Sequence, residues 1–184
     1  MQGGNKSRHW QSAALALLAG AHFMLPGNGL AADNVSFKGV LVQEACTLKA
    51  GDELIALELL DVSTKYLYLN TRTLGKPFKI HLEGCDISIA NSVTTTFSGA
   101  ASIALPGLLA VSSGSTATGV AIGIETPAGQ ALPLNVVSPR QQLSSGANEL
   151  VFKAFLKAEP QAIANKSIVP GHFAAASNFT LDYP

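Results

Sequence analysis

Charge is scarce in this 184-residue chain: 13% of the residues are Asp, Glu, Lys or Arg, and the two signs balance at 12 each. Without a basic stripe to follow a phosphate backbone, a nucleic-acid surface is excluded. Histidine is scarce too, with four in all, of which only His81 and His172 lie beyond the first 25 residues. The chain has no CxxC pair, HExxH helix, GxSxG turn or glycine-rich phosphate loop. No catalytic or metal-binding residue is therefore assigned, and neither a cofactor nor a small-molecule substrate is expected. Helical periodicity is also thin, and no apolar run reaches the ~20 residues that a membrane-spanning helix needs.

What is present begins with a leader. Lys6, Arg8 and His9 form a cationic start, an apolar run from Ala13 to Leu25 comes next, and small residues close it in "NGLAAD". This is the pattern of a secretory signal peptide, cut after Ala31 or Ala32, which assigns residues 1–32 to export. Loss of Lys6 and Arg8 leaves ten basic against twelve acidic side chains on a mature chain of about one domain. The two cysteines, Cys46 and Cys85, both fall in that exported part, where an oxidising compartment makes a disulfide the expected state. Closing a loop of this length restricts the unfolded chain by ~4 kcal/mol in the chain-entropy account.

Along the mature chain, period-two alternation dominates. "FKIHLEGCDISIA", "GVAIGIE" and "LVFKAFLKA" alternate apolar and polar positions and are rich in β-branched or aromatic residues. Only "DELIALELL" also reads as a turn or two of helix. Turn signals separate these runs: "NTRTLGKP", "SGAAS", "SSGSTATG", "TPAGQ", "SPRQQLSSGANE" and "AEPQAIANKSIVPG". Short, turn-bounded strands predict an all-β antiparallel sandwich, with the Ser/Gly/Thr stretch at 112–119 as a long hairpin loop. His81 and His172 read as surface strand residues.

Two further strands stand at the ends of the mature chain. In "DNVSFKGVLVQEAC", Val35, Phe37, Gly39 and Leu41 share one parity, and no obvious turn folds this strand back onto the next. In "GHFAAASNFTLDYP", Gly171, Phe173, Ala175, Phe179, Leu181 and Tyr183 form a mostly apolar face, with Asn178, Thr180 and Asp182 on the polar one. With so few charges and a mean hydropathy of +0.28, the domain carries more strand-forming surface than a soluble monomer leaves bare.

The chain resembles structural subunits of chaperone–usher pili, the type 1 fimbrial family. The match rests on "EACTL", "LELLDVST", "FKIHLEGC", "VTTTFSG", "LLAVSSGSTATGVAIGIETPAGQALPLN" and "NELVFKAFLKA", and above all on the ending, with Tyr183 penultimate and Gly171 fourteenth from the last residue. The resemblance implies an incomplete immunoglobulin-like β-sandwich (46–184) preceded by an N-terminal donor-strand extension (33–45). Residues Gly171 to Tyr183 would wall an open groove. A periplasmic chaperone would fill that groove first, anchoring the carboxylate of Pro184, until a neighbouring subunit's extension replaces it at an outer-membrane usher. Val35, Phe37 and Leu41 would fill pockets of the preceding subunit, with Gly39 at a shallow one. The implied role is a non-enzymatic building block of a surface fimbria that supports adhesion. The alternative is a ligand-binding tip or adaptor subunit.

Overall fold

The computed structural model describes residues 43–59 and 61–184. The leader and the donor-strand residues Val35, Phe37, Gly39 and Leu41 lie outside the described residues.

Strand β1 (Thr47–Leu48) is followed by helix α1 (Thr64–Asn70), β2 (Lys76–Cys85), β3 (Ser92–Gly99), β4 (Leu109–Ala110), β5 (Val120–Glu125), β6 (Gln141–Gln142), β7 (Gly146–Ala158), helix α2 (Pro160–Ala164) and β8 (Ser177–Asp182). These strands form two antiparallel sheets, ordered β1-β2-β7-β5-β4 and β6-β3-β8. The alternation in the sequence decides which side chains lie between them. In β2, Ile80 and Leu82 are fully buried while Lys79 and Glu83 face out. In β7 the inward set is Leu150, Phe152 and Ala154, and β3 contributes Val93 and Phe97 from the other sheet. Side chains that interdigitate this way remove apolar area from water at about 25 cal/mol per Å².

One cysteine escapes the alternation. Counting by twos from Leu82 would point Cys85 outward, yet it is 3% exposed and bonded to Cys46. The register between β2 and β7 slips by one residue between Leu82 and Cys85, and Gly84 sits in that slip with φ of 61°. A bulge with a left-handed glycine inserts one residue and reverses the facing of the residues beyond it. The expected disulfide is thereby brought inside the core.

The helical reading open to "DELIALELL" is not taken: residues 55–59 are non-helical, and Ile55, Leu57 and Leu59 are half-buried while Ala56 and Glu58 are exposed. Its apolar residues satisfy a period of two as well as one of 3.6, and the extended reading wins because an apolar trough lies beside it. The helix forms later, at "TKYLYLN", where Ser63 Oγ accepts from the Tyr66 N–H at 3.2 Å and Leu67 is buried against β7 and α2. Residues 111–119 form the β4–β5 hairpin loop that the sequence predicts.

Candidate functional site

The sandwich is open along one seam. β8 pairs with β3 from Gly99↔Ser177 to Thr94↔Asp182, and among the described residues no strand pairs with its other edge. Along 173–183 the odd-numbered Phe173, Ala175, Phe179, Leu181 and Tyr183 turn toward the core, as the sequence predicts, but only half-buried, while Ser177 is exposed. Residues at the same depth in β2 and β7, such as Ile80 and Phe152, are at most 1% exposed. Among the described residues, β2 and β7 are covered where β8 is only partly so.

The opening is a groove of about 950 Å³ between the segments 53–59 and 171–179. Phe78, Phe97, Leu109, Ile122, Ile124 and Ala154 line its depth. Three rings fix that floor: Phe97 meets Phe152 edge-on with centroids 5.0 Å apart, and Phe78 lies 5.8 Å from Phe152 and 6.1 Å from Phe97. Aromatic contacts of this geometry add roughly 0.5–1.5 kcal/mol to burial and hold the rings in place. The trough is therefore apolar, narrow and firm at its base, with backbone along both rims. Such a shape takes an extended peptide with alternating side chains.

The end of the chain is fitted closely. Gly171 lies against the 112–119 loop, where an added Cβ would clash with Thr116 Oγ1 and come within 2.9 Å of the Ala117 nitrogen, so glycine is required by proximity. Burial pushes the Tyr183 hydroxyl above its ordinary pKa, and the charge of Glu44 adds to this. A carboxylate oxygen of Pro184 accepts from Ser92 Oγ at 3.4 Å. His172 is exposed, and its backbone is held by the same loop.

His81 lies on the solvent side of β2, as expected, but it is not free. Asp52 Oδ2 accepts from its backbone N–H at 2.6 Å and lies 2.9 Å from Nδ1, while Glu149 sits 3.6 Å from Nε2. The donated backbone N–H holds the Asp52 carboxyl below its usual range. Nothing in the local sequence signals this pairing, because the partners are 29 residues apart.

Residues 35–184 match the family described as "Fimbrial protein". The chain is 33% identical to the major MR/P fimbria protein of Proteus mirabilis over 175 residues, covering 92% of this chain and 97% of that one. It is 32% identical to the fimbrial adapter PapK of Escherichia coli, covering 85% and 90%. Among solved structures, the P pilus rod subunit PapA superposes with a TM-score of 0.66 at 20% identity, covering 77% of this chain and all of that one. The likeness to PapA carries the fold.

Proposed function

This chain belongs to the fimbrial protein family and is a non-enzymatic structural subunit of the surface fimbrium, and from that premise we propose that it polymerises by exchanging β-strands with its neighbours. Residues 1–32 direct export and are removed. Residues 33–45 form the extension that is lent to the next molecule, and 46–184 form the domain that borrows one. The single observation behind this reading is the groove between 53–59 and 171–179, whose apolar floor lies under an edge that has no partner among the described residues.

In this scheme the segment from Val35 to Leu41, ~23 Å long when extended, lies along β8 of a neighbouring copy. Val35, Phe37 and Leu41 enter the trough, and Gly39 passes where a side chain has no room. Each of the three anchors contributes ~1.5–3 kcal/mol on burial before ordering costs are subtracted. A periplasmic chaperone occupies the groove during transit, pairing with β8 and holding the carboxylate of Pro184, and an outer-membrane usher hosts the exchange. The finished fibre supports cell adhesion.

Mixing the chaperone-bound subunit with peptides copying the extensions of candidate neighbours, including its own 33–42, tests this by mass spectrometry. Replacement of the chaperone by peptide is the expected result. Capture of its own peptide assigns the subunit to a homopolymeric rod, and capture of only foreign peptides assigns it to an adapter position; relatives of both kinds share its sequence. A mature chain lacking 33–42 that melts cooperatively as a lone monomer overturns the proposal.

A further inference from the structure

Two-thirds of the groove's β8-side rim, residues 171–176 of 171–179, is not sheet at all. β8 and its ladder to β3 begin at Ser177, yet the rim continues back to Gly171. Over that stretch the place of a neighbouring strand is taken by the loop joining β4 to β5. Thr116 Oγ1 accepts from the His172 N–H at 2.9 Å and lies 3.4 Å from the His172 carbonyl oxygen. Ser115 Oγ does the same for Ala174, accepting from its N–H at 3.1 Å and donating to its carbonyl at 3.4 Å. Backbone donors complete the seam: Ser112 N–H to the Ala174 carbonyl at 2.7 Å, and Thr116 and Ala117 N–H to the His172 carbonyl at 2.9 and 3.0 Å.

The pattern is that of a β-ladder in which two hydroxyls stand in for backbone groups. In an extended chain, alternate residues direct both their N–H and C=O to opposite sides. With His172 and Ala174 committed to the loop, Phe173 and Ala175 direct theirs the other way, and among the described residues no hydrogen bond reaches either backbone. Their side chains are half-buried in the groove.

We infer that Ser115 and Thr116 are positioning residues for strand capture: their hydroxyls hold residues 171–175 extended and correctly faced before a partner strand arrives, so that the incoming segment meets a preformed edge. This rests on the strand-borrowing function proposed above. Without the hydroxyls, residues 171–175 must be ordered at the moment of binding, and the backbone entropy lost in fixing them is drawn from the binding free energy.

The test compares wild-type subunit with Ser115→Ala/Thr116→Val and with Thr116→Ser, which keeps the hydroxyl. All are released from chaperone into a fluorescent peptide copying residues 33–42, and capture and release rates are read by anisotropy. Amide hydrogen exchange is followed in parallel at 172–175 and in β7. The double variant is expected to release peptide about ten-fold faster and to lose protection at His172 and Ala174 in the chaperone-bound state, while β7 stays protected. Thr116→Ser alone should retain near wild-type release. Equal rates in wild type and double variant, with protection at 172 and 174 lost, overturn the inference and leave strand borrowing intact; loss of β7 protection in the double variant overturns it as well, by showing a general fold defect. Failure of wild type itself to capture peptide removes the strand-borrowing reading instead.

Discussion

At the scale of single residues, Thr95 stands out. It lies on the inward face of β3 between Val93 and Phe97, is 0% exposed, and its Oγ1 has no hydrogen-bond partner among the described residues. A buried hydroxyl left unpaired costs about 1–3 kcal/mol, and valine has the same shape without that cost. Thr95→Val is therefore expected to stabilise the peptide-complemented subunit by about 1 kcal/mol, read as a higher denaturation midpoint at unchanged slope. Asp52 supplies the opposite case. Because its carboxyl titrates below its usual range when folded, its contribution is present above the ordinary carboxylate value of 3.8 and is lost as the pH falls through the folded value. Melting curves of wild type and Asp52→Asn should be separated at about pH 5 and converge as the pH falls below the ordinary value of 3.8 and through the lower folded one. Gly123 is fixed by contact: it pairs with Phe155, whose ring occupies the space an added Cβ would need and carries the Arg72 guanidinium 3.6 Å from its centroid. The strand of Gly123 was readable from "GVAIGIE", but its crowding depends on a residue far along the chain and left no local trace.

At the scale of elements, parity is the main determinant and can be tested within β8. Leu181 faces the core half-covered, and Thr180 faces solvent. Leu181→Ala should cost about 1–2 kcal/mol in the complemented subunit, less than the roughly 2–5 kcal/mol of a fully enclosed leucine. Thr180→Ala should stay within about 0.5 kcal/mol. Chemical denaturation of the two variants side by side checks which face of β8 the core covers. The same parity made the major strands legible in advance, because one buried face imposes a period of two on β2, β8 and the first half of β7. Three places lay beyond its reach, each for a physical reason. The bulge at Gly84 reversed the facing of Cys85. "DELIALELL" suited helix and strand equally, and a neighbouring trough selected the extended form. Helix α1 arose in "KYLYL", an alternating run, because Ser63 capped it and Leu67 found cover against a second small core. The grip of Ser115 and Thr116 on the chain more than fifty residues later was likewise invisible, since hydroxyl-to-backbone pairing imposes no periodicity.

At the scale of the whole molecule, one edge of β8 has no partner among the described residues, and the disulfide braces the sandwich that carries it. Joining residues 39 positions apart restricts the unfolded chain by ~4 kcal/mol in the entropy account. Replacing both cysteines by alanine should lower the stability of the complemented subunit by a comparable amount, seen as a large drop in denaturation midpoint. The placement of that bond has a second consequence. Cys46 stands where the chain enters the sandwich, just ahead of the two-residue strand β1, and it is tied to the far end of the ten-residue strand β2. Tension arriving through the N-terminal segment is thus handed to a central strand by a covalent link and bypasses the weak β1 ladder, so that mechanical load is carried across the molecule without first unravelling its entrance.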